Sequence, residues 1–127
     1  MVRSLNKVMV IGKVGRAPEM RYMPSGRPVT SFSVGATRSG KETDSAQPEE
    51  TEWFNVVAWG DLAERCKEDL RRDDQVYVEG RLQTRSWETD NGSSRLRAEL
   101  VANEMILLKR CRKNDTLTEA AEEHEEQ

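Results

Sequence analysis

The 127 residues suit one domain with a modest core, and no apolar run approaches the ~20 residues that span a bilayer, so we expect no membrane protein. The net charge of −3 hides an asymmetry, because residues 1–113 hold 20 basic and 17 acidic residues whereas residues 114–127 hold six acidic and no basic ones. A mildly basic domain with an acidic tail remains compatible with an anionic partner despite the sequence pI of about 5.3.

The sequence predicts short strands around one helix. We expect strands at residues 5–14, 29–37, 51–59, 75–88 and 95–108, with a short segment at residues 17–23 that ends in a Pro-Ser-Gly turn. Phe32, Val34 and Ala36 alternate with small polar residues, which is typical of a strand with one buried face. Residues 38–50 are polar and predict a loop or a mobile hairpin tip. Asn91-Gly92 predicts a tight turn between the last two strands.

A single helix is predicted over residues 61–72, between the third and fourth strands. Its apolar residues recur at helical spacing, and Asp61 is the expected N-cap. Five strands with a helix in this place is the order of the OB-fold, an all-β Greek-key barrel. We therefore expect an OB-fold domain over residues 1–112 and a disordered acidic tail over residues 113–127.

Three tryptophans lie on the predicted strands. Trp53 and Trp59 share one side of the third strand at a separation of about 20 Å, which fits two stacking stations for successive bases. Trp87 alternates with Arg81 and Arg85 on the fourth strand. The other face of that strand is assigned to the core: Val76, Val78 and Leu82. An aromatic ring beside a cation stacks on any base and contributes about 1–3 kcal/mol. Burial in the core or in a subunit interface is the alternative for each tryptophan.

Basic residues near these strands are candidates for phosphate contacts: Lys7, Lys13, Arg21, Arg72, Arg81 and Arg85. Each has the alternative of a solvated charge, and the acids Glu79 and Glu88 argue against a continuous basic groove. The only histidine, His124, lies in the tail, and no catalytic constellation or glycine-rich phosphate loop appears. We expect no enzyme, no cofactor and no metal. Cys66 and Cys111 are expected to be reduced thiols in a cytoplasmic protein without a signal peptide, with a disulfide as the alternative.

Linked motifs resemble the bacterial single-stranded DNA-binding proteins over residues 4 to about 108. They are Asn6-Lys7-Val8 with Gly12, the segment from Pro18 to Gly26, Thr51-Glu52-Trp53-Phe54, Leu62-Ala63-Glu64, the segment from Gln75 to Leu82, and Thr84-Arg85-Ser86-Trp87. The resemblance implies an OB barrel that binds single-stranded DNA with little sequence preference in replication, recombination and repair, at the nucleoid. It also implies a homotetramer with the first strand in the subunit interface.

The same resemblance implies roles for particular residues. Trp53 and Trp87 match the family's stacking tryptophans, and Trp59 stands where many members have a stacking phenylalanine. Basic positions of the family are occupied by Lys7, Arg21, Arg72 and Arg85. Residues 38–50 lack the aromatic that some members carry, and Asp61 stands where some have lysine.

The tail departs most from the family pattern. Residues 122–127 lack the Pro-Phe tip through which members recruit replication and repair proteins, so such partners stay open. We expect the tail to compete weakly with phosphates for the basic groove, with an inert solubilising tail as the alternative. Other functions that fit the residues are RNA binding, a replication-restart accessory or a phage or plasmid paralogue, and a protein-interaction OB domain with buried tryptophans.

Overall fold

The computed structural model describes residues 3–38 and 50–111 of the chain. Its elements in chain order are β1 (Val8–Val14), β2 (Glu19–Tyr22), β3 (Pro28–Arg38), β4 (Glu50–Trp59), α1 (Asp61–Asp69), β5 (Gln75–Glu88) and β6 (Ser94–Lys109). The polar loop predicted from the sequence lies outside the described residues apart from Arg38 and Glu50, and the predicted acidic tail lies wholly outside them. In the described part of the chain, no helix is long and apolar enough to cross a membrane.

Five of the strands close into a ring. Hydrogen bonding runs β1-β5-β6-β4-β3, and a further pairing of β1 with β3, at Lys13↔Gly35 and Val14↔Val34, joins the two ends. All of these pairings are antiparallel except that of β4 with β6. The helix connects the third and fourth strands of the ring, so the predicted OB-fold order is confirmed. The segment expected to end in a turn forms β2, which adds a short sixth strand to the edge of β3.

The core fills the inside of the ring with one layer of side chains. Inward residues recur with the strand period of two: Val10, Val14, Phe32, Val34, Val56, Ala58, Val76, Val78, Leu100 and Met105. On β6 a register shift opposite Glu79 and Gly80 changes the parity between Leu100 and Met105. Helix α1 covers one end of this core with its buried face of Ala63 and Cys66. Thr30 donates a hydrogen bond of 2.7 Å from its hydroxyl to the Ala63 carbonyl and so ties the helix to β3. Burial raises the pKa of the Cys66 thiol to about 12, and no disulfide joins it to Cys111.

The helix begins at the predicted residue, Asp61, but differs from the prediction in its N-cap and in its end. Gly60 is the N-cap and Asp61 is the first helical residue, without a side-chain capping bond, so the prediction of Asp61 as N-cap is wrong. The helix ends at Asp69, three residues early, because Leu70 turns to extended backbone and buries its side chain in the core. Asp74 reinforces this ending by accepting a 2.8 Å bond from the Arg71 amide, a side-chain bond that competes with helix continuation.

The β5–β6 hairpin extends beyond the barrel. Its turn at residues 89–93 contains the predicted Asn-Gly pair, and the Gly92 amide donates to the Thr89 carbonyl. Leu82 has the inward parity expected for a core residue, yet its side chain is 47% exposed because the barrel has ended at this level. The assignment of Leu82 to the core is therefore wrong. Asn6 fixes the hairpin at this point, since its carboxamide exchanges hydrogen bonds of 2.8 and 2.9 Å with the Leu82 backbone.

Asp74 joins the end of β6 to the loop after the helix. Its carboxylate is fully buried and accepts hydrogen bonds of 2.8 Å from the Arg71 amide and 2.8 Å from the Cys111 amide. The guanidinium of Arg110 lies 3.7 Å from the same carboxylate and donates to the Asp69 carbonyl. Two buried backbone donors therefore depend on one side chain.

We predict that Asp74→Ala lowers the free energy of unfolding by at least about 2 kcal/mol, because it leaves the Arg71 and Cys111 amides without this acceptor and removes the ion-pair partner of Arg110. Urea denaturation measures this difference. The matched control is Asp90→Ala in the exposed hairpin turn, which should change the free energy of unfolding by less than about 0.5 kcal/mol. Equal effects of the two substitutions would contradict the role given to Asp74.

Candidate nucleic-acid interface

The outward residues of four adjoining strands form one face of the barrel. On β4 the outward positions are Trp53, Asn55, Val57 and Trp59, which lie opposite Gly35, Ser33, Ser31 and Val29 of β3. This register is continuous, so the prediction that Trp53 and Trp59 share a side is confirmed. On the other flank, β6 presents Arg95, Arg97, Glu99 and Val101, opposite Trp87, Arg85, Gln83 and Arg81 of β5. The three tryptophans therefore lie on one outward face, which we call the tryptophan face.

The ring of Trp53 packs closely against the backbone of two glycines. A Cβ added at Gly35 would come within 2.8 Å of the indole Cζ3 atom, and one added at Gly15 would come closer still. Only glycine lets the ring approach the backbone this closely. One side of the ring is thereby packed while the side chain stays 57% exposed. A ring that packs against backbone and is still largely exposed is suited to stacking on another planar group.

Two arginines lie beside the open side of Trp53. Arg16 and Arg72 line the same surface depression as the indole ring, together with Ser33. Backbone hydrogen bonds explain their place: the Arg16 amide donates 2.8 Å to the Ser33 hydroxyl. The Asp73 amide donates 2.8 Å to the Val14 carbonyl, which brings the loop carrying Arg72 against the end of β1.

Trp59 lies at a second depression, a cavity of about 320 Å³. Arg16 borders both depressions and so connects the two tryptophans along the face. Arg21, placed by the pairing of β2 with β3, lines this cavity. Above the ring of Trp59, the guanidinium carbon of Arg27 lies 5.1 Å from the ring centroid.

The floor of the second depression carries a compact charge cluster. Arg85 and Arg97 are directly opposite each other on neighbouring strands, an arrangement of like charges that destabilises a sheet. Glu99 lies beside them, is only 8% exposed, and approaches the Arg85 guanidinium at 3.7 Å. One carboxylate thus faces four arginines that line this cavity, Arg16, Arg21, Arg85 and Arg97. The cluster is suited to holding the anionic groups of a ligand that also carries a nucleobase.

The remaining predicted site residues lie at the margins of this face. Trp87 is 43% exposed at the outer part of the β5–β6 hairpin, opposite Arg95. Arg81 lies on the same side of β5, opposite Val101, and donates a long 3.4 Å hydrogen bond to Gln83.

Lys7 lines neither of the two depressions and lies beside β1 and the first half of β5. Its ammonium group lies 3.2 Å from the Glu79 carboxylate, and the Tyr77 hydroxyl donates a 2.6 Å hydrogen bond to the same carboxylate. The bond from Tyr77, and then the bond from Lys7, lower the pKa of Glu79, while Glu79 raises the pKa of Tyr77. The lysine charge is therefore largely balanced by Glu79.

Three arginines of the site were missed by sequence reasoning: Arg16, Arg27 and Arg97. Arg97 had a detectable signal, because Arg95, Arg97 and Glu99 alternate on a predicted strand opposite Arg85 and Trp87. Arg16 and Arg27 lie outside the predicted strands, and their positions depend on how β1 and β2 pack against β3. No parity rule applies to such residues.

The chemistry of the tryptophan face suits binding by shape and charge. Its aromatic rings offer flat apolar area, and its arginines offer donors in rigid planes that suit phosphate oxygens. Within residues 3–38 and 50–111, no cluster of three His, Cys, Asp or Glu side chains is arranged to hold a metal ion.

Comparison with known proteins agrees with this arrangement. A model of the single-strand binding protein family matches residues 5–108. "Single-stranded DNA-binding protein 1" of Chlorobaculum tepidum is 43% identical over 109 residues, which cover 85% of this chain and 67% of that protein. The single-stranded DNA-binding protein of Neisseria meningitidis serogroup B is 42% identical over 105 residues, which cover 83% of this chain and 60% of that protein.

A solved structure extends the comparison to three dimensions. The Plasmodium falciparum SSB in complex with ssDNA superimposes with a TM-score of 0.76 at 29% sequence identity, over 86% of this chain and 99% of that chain. The matched segment spans 60% to 67% of the length of the two curated relatives. Since the family model and the relatives cover most of the chain, this protein is a member of the single-strand binding protein family.

Proposed function

We propose that this protein binds single-stranded DNA with little sequence preference, by stacking bases on Trp53, Trp59 and Trp87 and by pairing phosphates with arginines. The observation that supports this most is the shared outward face of the three tryptophans, with Arg16 connecting two of them. The activity is binding without chemical turnover, and it protects single strands during replication, recombination and repair in the cytoplasm, at the nucleoid.

Aromatic rings account for the absence of strong sequence preference. Every base has a π-face, so an exposed ring such as Trp53, packed against glycine backbone, accepts any of them. The arginines at both depressions contact the backbone, which is common to all sequences. Stacking and phosphate pairing also serve RNA, and titration with oligo(rU) beside oligo(dT) separates these two ligands.

We predict that oligo(dT) quenches the intrinsic fluorescence and that Trp53→Ala and Trp87→Ala each weaken binding by about 1–3 kcal/mol. Both rings are exposed, so the fold should survive their loss. Trp53→Phe and Trp87→Phe are the matched controls and should retain most of the affinity, since they keep a flat ring. If an alanine variant unfolds without a separate loss of binding, that tryptophan is structural.

Salt should weaken binding, because each phosphate contact releases condensed counterions with a slope of about −0.7 on single strands. Arg72→Ala and Arg85→Ala should each lower the magnitude of the slope by about 0.7. Lys7→Ala should leave the slope nearly unchanged, because the ion pair with Glu79 already balances the charge of Lys7. Fluorescence titrations over a range of salt concentrations measure these slopes. A slope that is the same in all four proteins would exclude Arg72 and Arg85 from phosphate contact.

We also propose that the protein assembles as a homotetramer through the outer surface of β1, β5 and β6. Met9 and Ile11 are 62% and 55% exposed there, and Tyr77 lies between Ile11 and Ile106 on neighbouring strands. An exposed apolar patch on the strands of a small domain is a suitable surface for pairing with another copy. This patch is separate from the tryptophan face, so assembly leaves stacking positions open.

Light scattering at micromolar concentration should give four times the 14.5 kDa of one chain. Ile11→Glu should lower the mass by breaking the apolar surface, because it places a charge where another copy packs. The control is Leu96→Glu, which puts the same charge on a more exposed apolar residue of the hairpin and should leave the mass unchanged. A single-chain mass for the unsubstituted protein would exclude the tetramer.

The proposed folding unit is residues 1–112, and the proposed role of residues 113–127 is that of an acidic tail. Strand β6 ends at Lys109, and Arg110 and Cys111 are fixed by Asp69 and Asp74, which supports a boundary just beyond them. We propose replication and repair proteins as partners of the whole protein.

A further inference from the structure

Arg27 covers the ring of Trp59. The guanidinium carbon lies 5.1 Å from the ring centroid, within the ~6 Å at which a cation is attracted to an aromatic face. Trp59 is one of the three tryptophans of the outward face, and its cavity is lined by further arginines. In the structure, therefore, the position that a stacked base would take on this ring is partly occupied by a planar cation.

The backbone fixes Arg27 in this place. The Met23 amide donates a 2.9 Å hydrogen bond to the Arg27 carbonyl, and the Gly26 amide donates 2.7 Å back to the Met23 carbonyl, which closes a tight turn. Gly26 has a φ of 94°, a conformation that favours glycine. The Gly60 amide donates 3.0 Å to the Pro28 carbonyl, so the residue after Arg27 is joined to the residue after Trp59.

Among the described residues, by contrast, the only recorded partner of the Arg27 guanidinium is the ring of Trp59. It is exposed, and no acidic group among the described residues lies within ion-pair distance of it. The nearby cavity holds Arg16, Arg21, Arg85 and Arg97, whose charges repel another guanidinium. A fifth cation in this neighbourhood, without an acidic partner, gains most when it contacts an anionic ligand with a flat base.

We propose that Arg27 is a further nucleic-acid-binding residue, a clamp that holds one base between its guanidinium plane and the ring of Trp59. This inference rests on the proposed function. A base stacked on both groups requires about 7 Å between them, twice the ~3.4 Å spacing of stacked bases, so Arg27 must withdraw by about 2 Å from its 5.1 Å position. A long, exposed side chain on a fixed backbone makes this movement without any change in the barrel.

The clamp makes Arg27 differ from an arginine that only pairs with phosphate. A planar guanidinium stacks while its edge N–H groups stay free to reach the phosphate of the same nucleotide. Lysine supplies the charge without the plane. The clamp also needs Trp59 as its second side, so the contribution of Arg27 should depend on that ring.

The test is titration of Arg27→Ala, Arg27→Lys, Trp59→Ala and the double variant Arg27→Ala/Trp59→Ala with oligo(dT) at moderate salt, followed by fluorescence. We expect Arg27→Ala to weaken binding about fivefold and Arg27→Lys to restore less than half of that loss. In the Trp59→Ala background, loss of Arg27 should cost less than about twofold. Arg65→Ala on α1 is the matched control and should bind as the unsubstituted protein does.

Four results would overturn the clamp. Tighter binding by Arg27→Ala means that Arg27 only covers the ring. Full affinity of Arg27→Lys means that a point charge suffices. An undiminished fivefold loss in the Trp59→Ala background means that the two residues act separately. Unaltered affinity of Arg27→Ala beside normal binding by the unsubstituted protein removes the clamp alone, whereas failure of the unsubstituted protein to bind removes the proposed function as well.

Discussion

A ring of five strands has room inside for a single layer of side chains, and this constraint determines the rest of the molecule. Each strand turns alternate residues inward to fill that layer, so the residues between them face outward. On β4 the inward positions Val56 and Ala58 place Trp53 and Trp59 on the outside. The candidate site is thus the necessary complement of the core.

The outward residues divide into two surfaces with different chemistry. The surface of β3, β4, β6 and the outer part of β5 joins aromatic rings to arginines, whereas the surface around β1 joins Met9 and Ile11 to a balanced pair, Lys7 and Glu79. Opposed arginines such as Arg85 and Arg97 cost stability in the free protein. An anionic ligand that binds between these arginines would relieve the repulsion. The described β1 surface carries no comparable cluster of arginines.

Much of this arrangement follows from alternation along the sequence. Parity along each strand predicts that Trp53 and Trp59 share a side and that Trp87 lies beside Arg81 and Arg85, and the pairing of β4 with β6 joins these into the tryptophan face. The helix between the third and fourth strands was sufficient to predict the order of the barrel. The alternation of residues does not indicate where a barrel ends. For this reason Leu82 was assigned to the core, although its side chain is exposed. Alternation also says nothing about turns, so the Gly60 cap and the early end of the helix at Asp69 were missed.

Contacts between segments distant in sequence account for the rest. Arg16 reaches the site through a bond to Ser33, and Arg27 through the joining of Pro28 to Gly60, neither of which a local pattern contains. Lys7 also depends on a distant contact. Its position in the sequence predicts a phosphate contact, whereas its ion-pair partner Glu79, which lies 72 residues away, is evident only in the structure. Charged residues outside strands therefore need the structure before they can be assigned to a surface.

The central claim is that one single strand crosses all three tryptophans on one face. The most direct measurement is fluorescence of three variants that each keep one tryptophan and carry phenylalanine at the other two positions, titrated with oligo(dT). The account predicts that oligo(dT) quenches the emission of Trp53, of Trp59 and of Trp87 at the same oligonucleotide concentration. Emission that stays constant in two or three of these variants, while binding is measured independently, would contradict it.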